Sequence, residues 1–134
     1  MSYLLDTCVI IDIIKGDANT IQIMKSKSPD QVMISSISEF ELRYGLAQAS
    51  KLKSRSKSIV EAILSEISIL NFGSKEATRA AEIRNTLRIQ GKPIGPYDVL
   101  IAATALAFDL KLVTSNEKEF SRLSDLTIED WRSE

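Results

Sequence analysis

Three acids stand where the chemistry of the chain changes abruptly. Asp6 closes the apolar run Tyr3-Leu4-Leu5, Glu41 follows Ser36-Ile37-Ser38-Glu39-Phe40, and Asp98 precedes the unbroken apolar run Val99-Leu100-Ile101-Ala102-Ala103. Carboxylates set a few ångströms apart repel strongly unless one is protonated or a cation neutralises them. A divalent cation held by such a cluster lowers the pKa of its bound water and balances charge on a phosphodiester. The chain contains no histidine and one cysteine, Cys8. Ser-His-Asp and Cys-His catalysis and histidine-based cleavage of RNA are therefore excluded, and one cysteine with no histidine argues against a zinc site. The remaining oxygen donors suit Mg²⁺ or Mn²⁺, which can supply the nucleophile that a missing histidine cannot.

Each acid also has a structural explanation. Asp6 fits an Asx turn or a helix N-cap. Glu39 and Glu41 lie three residues after Ser36 and Ser38, so either pair fits a capping box, and spacing alone does not choose between the two glutamates. Asp98 in the first turn of a helix complements its dipole, worth about 0.3–1 kcal/mol at an exposed site. Against that stands the apolar run it borders, because a carboxylate on the rim of a buried helix needs a partner. Thr114-Ser115-Asn116 carries three side-chain oxygens, with turn and cap chemistry as the ordinary explanation.

Alternating strands and helices must position these groups. Tyr3–Leu5 is expected as a buried strand, 9–14 as a short helix, 17–27 as a second helix, Pro29-Asp30 as a turn and 32–34 as a strand. A helix starts near Ser36 to Ser38. The polar, basic stretch 49–58 is a loop or an exposed helical hairpin, and the spacing of Ile59, Val60, Ile63, Leu64 and Ile67 is helical. Residues 69–72 form a third strand, Ser74 caps a helix that Gly91 ends, and Gly95-Pro96 opens a helix that is apolar almost all round. Residues 111–114 are a fourth strand and 126–128 a fifth, with Trp131 packing the C-terminus. The pattern calls for a parallel sheet of four to five strands with helices on both faces.

The 134 residues, 44% hydrophobic and 26% charged, suit one domain over 1–134 with one core. No signal-like start and no apolar run near the ~20 residues of a membrane span are visible, so a cytoplasmic location with no membrane contact is expected. The net charge is −1, but Arg43, Lys51, Lys53, Arg55 and Lys57 fall in a stretch without acids. They are candidates for holding an RNA backbone, or simply a solvated helix face.

These motifs resemble the PIN-domain nucleases along essentially the whole chain. Leu4-Leu5-Asp6-Thr7-Cys8-Val9-Ile10 is similar to the family's opening strand. Ile34 to Leu46 resembles its second acidic motif, in which the acid precedes Leu and Gly lies four residues on, and this selects Glu41 over Glu39. Gly91-Lys92-Pro93-Ile94-Gly95-Pro96-Tyr97-Asp98-Val99 resembles the third motif, and Leu112 to Asn116 with Phe120 and Trp131 resembles the ending of VapC toxins. The resemblance implies a PIN-like α/β fold and a toxin endoribonuclease of a VapBC toxin–antitoxin system. It implies metal-dependent cleavage of RNA, often tRNA, to a 5′-phosphate and a 3′-hydroxyl, with Mg²⁺ or Mn²⁺ on Asp6, Glu41 and Asp98. It further implies a homodimer and inhibition by a cognate VapB-type antitoxin laid over the acids.

Two departures from the family pattern stand out. Cys8 replaces the common Asn, and Asn116 stands where many members carry a fourth acid, with Glu117 and Glu119 close by. Three carboxylates would hold one cation firmly and a second weakly. Thr7, Thr114, Asn116 and Glu119 are candidate supporting residues, and a helix over 117–120 would set Glu119 one turn from Asn116. Two rival readings remain: a non-catalytic RNA- or protein-binding module of the same fold, and a receiver-like Mg²⁺-binding signalling domain. The second lacks paired acids after the first strand and an Asp after the third, which ends Asn71-Phe72-Gly73.

Overall fold

The computed structural model describes residues 2–48 and 54–132. Its centre is a five-stranded parallel sheet in the order β3-β2-β1-β4-β5, made of β1 (Tyr3–Leu5), β2 (Val32–Ser35), β3 (Ser68–Leu70), β4 (Lys111–Val113) and β5 (Ile128–Glu129). β1 is buried on both faces, as its continuous apolar run requires. Leu4 enters one core with Ile101, Ala102, Leu112 and Phe120. Tyr3 and Leu5 enter the other with Ile10, Val32, Leu42, Val60 and Trp131. Alternation along one short strand thus fixes which helices cover which face.

α1 (Thr7–Lys15) follows β1 directly and stops at Gly16, whose φ of 86° is left-handed backbone that glycine adopts without a Cβ penalty. α2 (Ala18–Ser26) follows, then a 3₁₀ turn over Pro29–Gln31. α3 (Ser36–Ala47) leaves β2 without a linker, α4 (Ser54–Glu66) leads to β3, and α5 (Ser74–Ile89) packs along α6 (Pro96–Ala107). Ala80, Ile83 and Leu87 of α5 meet Val99 and Ala103 of α6. The alanines 102, 103 and 105 are wholly buried, so α6 lies close to both the sheet and α5. A four-residue helix, α7 (Glu117–Phe120), follows β4.

Several local expectations shift. The basic run is helical from Ser54, and Lys51 and Lys53 lie outside the described residues. β3 ends at Leu70 rather than at residue 72. Phe72 turns away, donating its N–H to Ser36 Oγ at 3.1 Å and packing against the α5–α6 core. Gly73, not Ser74, is the N-cap of α5, and Ser74 is already helical. β4 stops before Thr114. β5 covers 128–129 instead of 126–128, because Leu126 drops into the core beneath Phe120. Neither expected capping box forms on α3. β2 runs through to Ser35, so Ser35 is the cap and its Oγ accepts from Ser38 N at 3.0 Å. Both glutamates are therefore released from capping.

Phe120 is 0% exposed although it sits in a helix of one turn. Phe120→Ala should lower unfolding stability in urea by about 3–5 kcal/mol, the cost of emptying a buried aromatic site. Phe108→Ala, at an exposed ring, should cost less than about 1 kcal/mol.

Candidate active site

Chain direction puts the site at one place. From β1 the sheet grows through β2 and β3 on one side and through β4 and β5 on the other. The crevice beyond the carboxyl ends of β1 and β4 is the point where a parallel sheet leaves room for a ligand. Asp6 follows β1 there and Thr114 follows β4, and Thr114 Oγ1 donates to Asp6 Oδ2 at 2.8 Å. The other carboxylate oxygen caps α1, accepting from Thr7 N at 2.8 Å. Cys8 Sγ also reaches Oδ2, at 3.5 Å. Asp6 is 6% exposed, and burial raises its pKa while the donors from Thr114, Thr7 and Cys8 pull it down. The cap expected as the structural explanation and the site position therefore coincide: one oxygen caps, and the other faces Thr114 and Cys8.

Glu41 lies one turn into α3. Its Oε1 accepts a 2.7 Å hydrogen bond from Thr7 Oγ1. Glu39 instead pairs with Arg43 on its own helix at 3.1 Å. The structure thus separates the two glutamates that spacing could not.

Asp98 occupies the third position of α6 behind Gly95 and Pro96. Its carboxyl is pushed up to about 7, first by burial and then by a hydrogen bond shared with Glu119. The charges of Asp6, Glu119 and Glu41 add to this. Four carboxylates therefore converge: the three expected from the sequence, and Glu119 on α7. Asn116 Nδ2 donates to Glu119 Oε2 at 3.3 Å, and Asn116 N donates to Thr114 Oγ1 at 3.0 Å. Asn116 thus turns its amide N–H toward the neighbouring acid and orients it.

Some participants were not singled out in the sequence. Ser115 Oγ lies 3.4 Å from Cys8 Sγ, and burial followed by the Asp6 charge raises the Cys8 thiol pKa, keeping it a neutral neighbour of Asp6. Gly95 was expected only to open α6. A Cβ there would stand 3.0 Å from Asp98 Oδ2, tight enough to push the carboxylate aside. A glycine where Ser or Asp would cap better was the available signal. The basic candidates among the described residues form no ion pair with the site acids. Arg43 is held by Glu39 and by Glu61 at 2.8 Å, while Arg55 and Lys57 are exposed on α4.

No Lys or Arg among the described residues forms an ion pair with Asp6, Glu41, Asp98 or Glu119. The donor set is all oxygen and its charge is uncompensated, which fits a hard divalent cation. Among the described residues, however, no three Cys, Asp or Glu side chains form a ready-made metal cage. Hydroxyl and amide partners hold the acids instead, and Mg²⁺ commonly needs only one or two protein carboxylates beside water and substrate phosphate.

Residues 3–126 match the PIN domain family. The chain belongs to the PIN-domain family. It is 34% identical over 131 residues to the tRNA(fMet)-specific endonuclease VapC of Shigella flexneri, and 36% identical over 131 residues to ribonuclease VapC2 of Haemophilus influenzae, each match covering 98% of both chains. The VapBC2 structure from Rickettsia felis, bound to a DNA fragment from its promoter, superimposes with a TM-score of 0.89. That match has 34% identity and covers 98% of this chain and 99% of the other. The PIN fold with VapC ribonucleases as relatives replaces the receiver-like reading, and PIN-domain nucleases generally need a divalent metal. Among the described residues no helix is long and apolar enough to cross a membrane.

The raised Asp98 pKa carries a sign. The folded chain binds this proton more tightly than the unfolded chain, so its stability falls as pH rises from about 4 through about 7. In EDTA, Asp98→Asn should raise the melting temperature at pH 8 and leave it nearly unchanged at pH 4. The gain should be a few degrees, since about 1 kcal/mol corresponds to roughly 2–8 °C in domains of this size range. Thermal melts at the two pH values measure it.

Proposed function

We propose that this PIN-domain protein is a toxin endoribonuclease that cleaves tRNA in the cytoplasm, with one domain over 1–134 and Mg²⁺ or Mn²⁺ as its metal. The observation that carries this reading is the carboxylate convergence around Asp98, with no basic side chain among the described residues to offset it. The curated relatives supply the substrate class, since the Shigella flexneri protein is named for tRNA(fMet).

Asp6, Glu41 and Asp98 would hold the cation, with Glu119 as the fourth acid. A cation held there would supply ionised water near neutral pH and offset charge on the phosphodiester. The chain's own residues prepare that place. Thr114, Thr7 and Cys8 fix both Asp6 oxygens. Thr7 aims Glu41, Asn116 aims Glu119, and Gly95 leaves room for the Asp98 carboxylate. Asp98 can retain a proton until a cation competes for it, so the metal requirement should increase as pH drops below about 7. Water rather than the ribose hydroxyl attacks, leaving a 5′-phosphate and a 3′-hydroxyl. Arg55 and Lys57 are free to touch the RNA backbone beyond this centre.

A VapB-type antitoxin and a second copy of the chain are the protein partners of this reading. An apolar groove of ≈ 340 Å³ between α1, α3 and α4 is lined by Ile11, Ile14, Leu42 and Leu46 and also by Thr7 and Glu41. An amphipathic segment seated there would lie against the acids it must silence. The non-catalytic alternative keeps the same fold and predicts the opposite assay result.

Purified protein should cleave tRNA only with a divalent cation, and EDTA should abolish cleavage. Asp6→Asn, Glu41→Gln and Asp98→Asn should each reduce the rate by about 100-fold or more, without adding in double variants. Glu119→Gln should raise the metal concentration for half-maximal rate, and Asn116→Asp should partly restore it. RNA cleavage persisting in EDTA, or unchanged in Asp6→Asn, would refute the mechanism.

A further inference from the structure

The acid centre repels the polyanion it is read as cutting, so positive charge must stand close by and be free. Arg43, the basic residue nearest Glu41 in sequence, has already given its charge to Glu39 and Glu61. Arg79 faces Asp125, Lys111 faces Glu129, and Arg132 faces Asp130. Two arginines of α5 differ. Arg84 forms no ion pair among the described residues. Arg88 bonds only the neutral Asn85 Oδ1, at 2.8 Å. Both are exposed, and both line a cavity of ≈ 280 Å³ whose remaining wall includes Pro93, Ile94, Pro96 and Val99.

That wall adjoins the site along the chain. Pro96 and Val99 belong to the same first turn of α6 that carries Asp98. The cavity therefore has a cationic rim, an apolar floor, and one helical turn in common with Asp98. Guanidinium groups present forked donors that match phosphate oxygens. Apolar and proline surfaces accept the face of a sugar or base.

We propose that this α5–α6 cavity is an RNA subsite, in which Arg84 and Arg88 hold a backbone phosphate next to the scissile bond and Pro93, Ile94 and Pro96 bear its nucleoside. The inference rests on the ribonuclease reading above and adds where the substrate strand leaves the acids. Helix-dipole complementarity explains Arg88, which lies in the last turn of α5, but not Arg84, one turn earlier. A dipole role would affect stability and leave RNA affinity alone.

The test is a salt titration of binding in an Asp6→Asn background, with a labelled RNA stem–loop as probe and anisotropy as readout. Arg84→Gln/Arg88→Gln should weaken binding at least about tenfold. It should also reduce the slope of log K against log salt by about 1 to 2, the release expected for two phosphate contacts. Lys25→Gln/Lys75→Gln, on α2 and at the opposite end of α5 over Phe108, removes the same charge elsewhere and should stay within about twofold of the parent with its slope unchanged. Circular dichroism checks that both variants fold, and Arg84→Lys/Arg88→Lys should recover part of the slope if either arginine variant is unstable. An arginine pair that behaves like the distant pair overturns the subsite. Cleavage of the same stem–loop by the otherwise unaltered chain with Mn²⁺ separates the two claims. RNA left uncut refutes the ribonuclease reading, whereas RNA cut normally and bound equally by both double variants refutes the subsite alone.

Discussion

Like charge held at one point is the constraint around which this molecule is arranged. Asp6, Glu41, Asp98 and Glu119 come from four separate elements, and the repulsion among them shows in the Asp98 carboxyl, pushed up to about 7. Neutral donors keep the acids in place: Thr114, Thr7 and Cys8 on Asp6, Thr7 on Glu41, and Asn116 on Glu119. Each of these partners orients a carboxylate without neutralising it. A buried Lys or Arg would remove the charge that a cation requires.

The scaffold can carry this cost because its rigid parts lie directly beneath it. Leu4, Leu5, Leu112 and Val113 are fully buried in the central strands, and Asp6 and Thr114 are the next residues along. The small side chains of α6 let it approach both the sheet and α5, which sets its first turn, and hence Asp98, over the crevice. Phe120 anchors α7 from below and so fixes the short helix that presents Glu119. Glu119 thus reaches the centre from a one-turn helix anchored by a buried aromatic ring.

Much of this is legible in the sequence, and the exceptions have physical causes. Asp6 and Asp98 stand out because each borders an apolar run, and a carboxylate in that setting needs a partner. The alternation of strands and helices gives the parallel sheet. Glu39 and Glu41 are indistinguishable by spacing, because the cap depends on where β2 ends, and one further strand residue moved it to Ser35. The boundaries at Phe72 and Leu126 moved because tertiary packing claimed those side chains. Arg43 looks free in sequence only because its second partner, Glu61, is on another helix. Lys51 and Lys53 lie outside the described residues. From the sequence, Glu119 is either a supporting residue beside Asn116 or a solvated first-turn acid. The 3.3 Å bond between them, which no spacing predicts, gives Asn116 the role of orienting that acid.

The central claim is that a divalent cation resolves the repulsion at this crevice. Anomalous diffraction from crystals grown with Mn²⁺ tests it most directly. The account predicts an anomalous peak bounded by the carboxylates of Asp6 and Asp98, lost in Asp98→Asn. An Mn²⁺ peak at some other place on the chain, or none at the crevice at millimolar Mn²⁺, would contradict it.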